Sequence, residues 1–246
     1  MEIKTYKKDF DHSYTLGAFP TFELIASRPG DVCEVYVSAS FTDMERLQNA
    51  CDKNNIPLIV NDKVINRLSD KGNVYVVGVF EKYEQKLDNQ KPHLVLVNPS
   101  DMGNLGTIIR TAVGFGIMDL AVIEPSADIF NPKTVRASMG SLFRLRHMKF
   151  PSFDDYEKYA GNASEAGAKR EIFTFMLNGR KPLTVNDCPK PELFSLVFGN
   201  EATGLPDSFL EKGTSIIIPQ TEFVDSLNLT IAAGIGMYMF SKKCLT

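Results

Sequence analysis

The residues best equipped for chemistry in this chain of 246 residues fall in three stretches. NPSDMGNLGTIIRTAVGFG (Asn98–Gly116) spaces Asn104, Gly106 and Arg110 as N-x-G-x-x-x-R, across a Gly-flanked turn and into a helix that Asn104 is placed to cap. A single Arg on a helix is more often a solvated surface residue than a catalytic one, so this stretch alone is a weak signal. The Gly-Asn-Leu-Gly spacing departs from GxGxxG and argues against an NAD site. LVFGNEATGLP (Leu196–Pro206) ends a buried strand in a loop holding Gly199, Asn200, Glu201 and Gly204. Glycine permits close backbone approach to a ligand, and Glu201 can make a polar contact. Equally, the loop could be only a strand-to-helix turn with Glu201 at the positive end of a helix dipole. IIIPQTEFVDSLNLTIAAGIGMYMF (Ile216–Phe240) runs from a strand through a loop into a helix that Ser226 or Asp225 can cap. Ala232, Ala233, Gly234 and Gly236 give that helix a small-residue face, suited to close packing in the core or against a second copy.

Other catalytic arrangements find little support. No Ser-His-Asp set or paired carboxylate suggests itself, and His12, His93 and His147 lie outside the three stretches, so each is expected to be structural or at the surface. Cys33, Cys51, Cys188 and Cys244 form no CxxC pair and read as reduced thiols, with no metal site expected. The formal net charge is −3, with 11 Lys+Arg against 14 Asp+Glu in residues 1–90 and 16 of each in 91–246. No part is a basic domain, so any nucleic-acid contact must be local. One local signal exists: Ile129–Phe150 carries Lys133, Arg136, Arg144, Arg146 and Lys149 without an acid, which favours phosphate contact over the usual solvated face.

Two βα series must position these residues. After a polar N-terminal arm, the segment from Thr21 to Phe80 alternates strand and helix patterns: EVYVS (Glu34–Ser38), a helix within Phe41–Asn55, PLIV (Pro57–Val60), a helix capped by Asn61, and NVYVVGVF (Asn73–Phe80). The charged stretch Glu81–Pro92 is the linker candidate. The second series has a strand from His93, a helix from about Asn104, Leu120–Glu124 as a strand and a helix near Asp154–Ala168. It continues with strands at Glu171–Leu177, Leu193–Gly199 and Thr214–Pro219 and a final helix at about Ser226–Lys242. This predicts an α/β protein with a mainly parallel sheet, ligands binding beyond the carboxyl ends of its strands. Two domains are expected, 1–90 and 91–246. With no signal core and no apolar run long enough to span a bilayer, the protein is expected in the cytoplasm.

Taken in order, Asn104/Gly106/Arg110, the F-G-N-E-x-x-G-L of Phe198–Leu205, and Ile218/Pro219 with Ser226–Asn228 resemble the three signature motifs of the SpoU (TrmH) family of RNA 2′-O-ribose methyltransferases. The resemblance covers about residues 92–246, with PKTVRASMGSLF (Pro132–Phe143) similar to the family's segment between the first two motifs. Tyr14–Phe80 looks like the smaller ribosomal-protein-like substrate-binding domain many members carry. The resemblance implies a C-terminal trefoil knot, an exception to the rule against knots. It also implies S-adenosylmethionine held by Leu177, Asn178, Gly199, Glu201, Ile218, Pro219 and Leu227. Arg110 would be the catalytic arginine, orienting the hydroxyl and binding the adjacent phosphate, with Asn104, Ser226 and Asn228 positioning it and the substrate. Lys133, Arg136, Arg144 and Arg146 are the RNA-contact candidates. A homodimer is implied, with RNA as substrate, ribosomal slightly favoured over transfer RNA. A non-catalytic RNA-binding protein of the same fold and a base-nitrogen methyltransferase are the alternatives. The loop Gln220–Asp225 (QTEFVD) departs from the family in lacking a glycine and in carrying Glu222 and Asp225.

Overall fold

A computed structural model describes residues 3–69, 73–161, 169–189 and 191–241. The elements run β1 (His12–Leu16), α1 (Ala18–Ser27), β2 (Val32–Val37), α2 (Met44–Lys53), β3 (Leu58–Val60), α3 (Asp62–Leu68), β4 (Val76–Glu81), β5 (His93–Val97), α4 (Met102–Gly114), β6 (Asp119–Ile123) and α5 (Pro132–Ala137). They continue with β7 (Arg146–Phe150), α6 (Phe153–Gly161), β8 (Glu171–Phe175), β9 (Lys181–Pro182), β10 (Phe194–Phe198), β11 (Thr214–Ile217) and α7 (Leu229–Phe240). The chain divides into two compact units, Met1–Tyr83 with Asp128–Arg144, and Glu84–Ala127 with Leu145–Thr246.

The first unit holds a four-stranded sheet of order β1-β4-β2-β3, in which β4 pairs antiparallel with both neighbours and β2 pairs parallel with β3. Asn61 caps α3 as expected, its side chain accepting from the Val64 N–H at 3.2 Å. Two elements precede the first strand expected from sequence, Glu34–Ser38. β1 is only five residues long, and α1 carries Pro20 in its first turn, where proline removes no helical hydrogen bond. The segment 128–144, assigned from sequence to the second domain, packs with this unit: the Tyr6 hydroxyl donates to Asp128, and Phe130 and Phe143 meet the Phe80 ring. A Cβ on Gly140 would fall 2.5 Å from that of Glu23, so glycine is needed for the approach.

The second unit is a seven-stranded sheet of order β7-β6-β5-β10-β8-β11-β9, parallel at every pairing. β5, β6 and β10 are buried along their whole length, as expected of unbroken apolar runs covered on both faces. Leu87, within the expected linker, is buried in this unit's core, and the Asp88 N–H donates to Asp119. The helix expected near Asp154–Ala168 is α6, ending at Gly161; residues 162–168 lie outside the described residues, as do Lys242 and Cys244. His93 sits at the start of β5, the end opposite the motif loops. Burial and the nearby Arg170 push its pKa down to about 4, so it is a neutral partner of the Tyr156 hydroxyl at 3.0 Å.

Candidate active site at the carboxyl edge of the parallel sheet

Because the strands are parallel, the loops following β5 (98–101), β8 (176–180), β10 (199–206) and β11 (218–228) leave the same edge of the sheet. The β10 loop folds back on itself. The Asn200 and Gly204 backbones bond reciprocally at 3.3 and 2.9 Å, and a Cβ on Gly199 would lie 2.2 Å from the Gly204 carbonyl carbon, which excludes every other residue. Asn200 ties the turn internally, accepting from the Ala202 and Thr203 N–H groups at 2.8 and 3.2 Å. Its amide nitrogen donates to the Asn98 carbonyl at 2.8 Å, joining the second motif to the first.

Glu201 extends that joint. Its carboxylate accepts from the Ser100 N–H (3.0 Å), the Ser100 hydroxyl (2.8 Å) and the Asp101 N–H (3.1 Å), with the Asn104 amide at 3.4 Å. Partial burial raises its pKa, but the donors from Ser100 and Asp101 outweigh this and hold the carboxyl below its ordinary value. Glu201, expected from the family resemblance to contact the cofactor, thus has a second role in fastening the β5 loop. Glu201 borders the cleft described next, yet its carboxylate is committed to the loop that starts α4. Nor does a helix begin at Glu201; the loop is a closed turn.

Between these loops lies a cleft of about 320 Å³, a size within the range of small-molecule sites. Leu177, Asn178, Gly199, Glu201, Ile218 and Leu227 of the cofactor candidates line it, together with Ser226; Pro219 does not. Met176, Leu205, Ile216 and Leu229 add apolar wall. A Cβ on Gly179 would come within 2.4 Å of the Ile216 carbonyl carbon, so the β8 loop can lie against β11 only as glycine. An apolar cradle with glycine-bared backbone and few free charges suits a flat heteroaromatic group such as adenine. Asn178 is partly spent, donating to Asp207 at 2.8 Å.

Arg110 stands apart from the cleft. It is exposed on α4 in an open depression with Thr107, Thr111, Gly114 and Phe115, and among the described residues it has no hydrogen-bond or ion-pair partner. Two helix caps differ from expectation, and the small-residue face of α7 packs partly in the core. Asp101, not Asn104, caps α4, accepting from the Asn104 N–H at 2.7 Å. Asn228, not Ser226 or Asp225, caps α7, accepting from the Thr230 N–H at 2.8 Å. Half of the small-residue face of α7 is internal, since Ala233 and Gly236 are buried and a Cβ on Gly236 would lie 2.8 Å from the stacked Phe175 and Phe198 rings.

Two of the four RNA-contact candidates are already paired. Arg146 makes a bidentate bond with the fully buried Asp119, 2.7 Å at each oxygen, at the amino edge of β6 and β7. Arg144 bonds Glu23 at 2.7 Å within the first unit. Lys133 is exposed and Arg136 half-buried on α5, with no ion-pair partner among the described residues. The sequence assigns no role to Ser100, Asp101 or Asn200, which hold the site together. The Ser-Asp pair just ahead of the α4 run was the available signal.

The sequence model of the SpoU rRNA Methylase family matches residues 91–238, and the chain belongs to this SpoU/TrmH family. It is 31% identical over 166 residues to the 23S rRNA (guanosine(2553)-2′-O)-methyltransferase RlmP of Bacillus subtilis, covering 66% of this chain and 63% of the relative. The chain therefore spans just under two thirds of that relative's length. In structure it is similar to the AdoMet-bound rRNA methyltransferase of Sinorhizobium meliloti, with TM-score 0.77 and 26% identity over 96% of this chain and 88% of that one. The SpoU methyltransferase AviRb of Streptomyces viridochromogenes, in complex with AdoMet, shares the fold at TM-score 0.83 and 23% identity, covering 96% of this chain and 91% of that one. The fold class is thus an α/β SpoU/TrmH fold, its parallel-sheet unit matching the knotted SPOUT structures and preceded by a smaller α/β unit.

Proposed function

We propose that the chain is an S-adenosylmethionine-dependent methyltransferase acting on a ribose 2′-hydroxyl of RNA. The observation that carries this reading is the glycine-bared apolar cleft at the carboxyl edge of the parallel sheet, in a chain of the SpoU family. S-adenosylmethionine, when bound, supplies an electrophilic methyl group. Leu177, Gly199, Ile218 and Leu227 would hold its apolar parts, with Asn178 and Pro219 at the border, while Glu201 holds the α4 loop against the site.

The 2′-hydroxyl is a weak nucleophile and needs charge stabilisation and orientation as its proton leaves. Arg110, without a partner among the described residues, binds the phosphate beside the target ribose through its guanidinium and steadies the developing oxyanion, and the proton passes to phosphate or water. Ser226 orients the ribose from the cleft wall. Asn228, whose side-chain oxygen is spent on capping α7, offers its amide N–H to the substrate. Asn104 steadies the α4 start through Glu201.

Arg110 and the cleft are separate in one chain, and a homodimer in which a second copy brings its α4 to the cleft joins them. Ile231 and Tyr238, 54% and 52% exposed on α7, supply apolar contact area for it. Lys133 and Arg136 contact RNA phosphates. Ribosomal RNA is the favoured substrate over transfer RNA, and the protein acts in the cytoplasm; no helix among the described residues is long and apolar enough to cross a membrane.

The test is incubation with methyl-labelled S-adenosylmethionine and RNA from a strain lacking the gene, followed by nuclease digestion and mass spectrometry. Label on a ribose 2′-oxygen, lost in Arg110→Ala, is expected. No transfer to any RNA together with no S-adenosylmethionine binding would overturn the reading.

A further inference from the structure

The loop between β11 and α7 ends at the cleft on both sides, through Gln220 and Ser226, but its middle points outward. The Gln220 amide donates to the Asp225 carbonyl at 3.2 Å, closing the loop at its base, and Phe223 stands at the tip 88% exposed, with Val224 beside it 49% exposed. Phe223 and Val224 are adjacent, so the loop presents a small apolar edge beside the cleft rather than one scattered side chain. The flanking Glu222 and Asp225 are exposed carboxylates that repel phosphate, so the tip does not serve the RNA backbone. A nucleobase face fits both features. It is flat, uncharged and stacks on aromatic rings, and sequence-tolerant stacking is how single-stranded RNA is held.

We propose that Phe223 is the platform on which the base of the target nucleotide stacks while its ribose sits at the cleft. This rests on the reading of the chain as an RNA methyltransferase. Phe223 lies three residues from Ser226, a reach of at most about 11 Å along the chain, comparable to the span of one nucleotide. An unstacked base needs such a surface to replace the neighbours it leaves, so the platform selects unpaired nucleotides over those in a helix.

The chain contains no tryptophan, so Phe223→Trp keeps the aromatic face and installs a single fluorophore at the tip. Its emission is expected to be that of a water-exposed indole in the free protein, and to be quenched on addition of single-stranded poly(A) or poly(C) but not of a fully paired RNA duplex. Phe223→Ala is expected to weaken binding of the same single strands about 10-fold, with S-adenosylmethionine affinity and the mass measured by sedimentation unchanged. Unquenched emission with undiminished binding by Phe223→Ala, while the parent methylates RNA, overturns the platform alone. A buried, blue-shifted indole in the free protein, or a change of oligomeric state in Phe223→Ala, overturns it in favour of a contact with a second copy. If the parent neither binds nor methylates RNA, both the platform and the functional reading fall.

Discussion

Glu201→Gln separates the two roles that a carboxylate beside a cofactor cleft can have. In the structure its oxygens receive three well-placed hydrogen bonds, from the Ser100 N–H, the Ser100 hydroxyl and the Asp101 N–H. A bond to a charged group is worth about 1.5–3 kcal/mol, so three in a buried site would sum to roughly 4–9 kcal/mol. Glu201 is half-exposed, and solvent screening cuts that to about 2 kcal/mol. Glutamine keeps one acceptor but turns an N–H toward two donors, so most of this is lost. In a unit of this size about 2 kcal/mol lowers Tm by about 4–8 °C. Because the folded pKa lies below the ordinary 4.5, the stabilisation is complete above that value and disappears as pH falls through the folded one. The gap between parent and variant is therefore constant near neutrality and closes in acid. Hydrogen exchange should show the Ser100 and Asp101 amides losing protection, while S-adenosylmethionine affinity measured calorimetrically falls little. A variant that melts with the parent and binds S-adenosylmethionine tenfold more weakly would refute this reasoning and return Glu201 to the cofactor.

Arg110→Ala should reduce methyl transfer by at least about 10²-fold, measured with labelled S-adenosylmethionine, while Tm holds because the side chain has no partner among the described residues. Gly199→Ala puts a Cβ 2.2 Å from the Gly204 carbonyl carbon and should cost about 2–4 kcal/mol in denaturant unfolding and abolish cofactor binding. Arg146→Ala strips a bidentate partner from the fully buried Asp119; discounted for the half-exposed guanidinium, the loss is about 2–3 kcal/mol, seen in thermal melts, and RNA affinity is unchanged. A log–log plot of RNA affinity against salt should have a shallow slope, about −2 to −4, because Arg144 and Arg146 are held by Glu23 and Asp119, leaving Lys133, Arg136 and Arg110 as the phosphate contacts that displace counterions.

The second unit was largely legible because each central parallel strand is a mainly apolar run, HLVLV, DLAVI and FSLVF, and because the loops after β5 and β10 lead into glycines. What escaped was long-range. β9 is two residues, Lys181–Pro182, and exists only because Gly179 lets the chain lie against β11. The attachment of residues 128–144 to the first unit depends on Tyr6, Phe80 and Glu23, each distant in sequence, and leaves no periodicity to read.

The same reason governs the site. A carboxylate at Glu201 is visible in the sequence, but its partners lie about a hundred residues upstream, and only the fold decides whether it faces ligand or backbone. Charge behaves alike. The run Ile129–Phe150 is free of acids as text, yet Glu23 and Asp119 reach Arg144 and Arg146 from elsewhere and neutralise them. Within that run Lys133 and Arg136 are the RNA-contact candidates left without an ion-pair partner among the described residues, and with a net charge of −3 phosphate attraction is local rather than general. A substrate recognised under those conditions gains from contacts that do not depend on charge. Base stacking at the tip of the loop after β11 is the contact of that kind the exposed Phe223 provides.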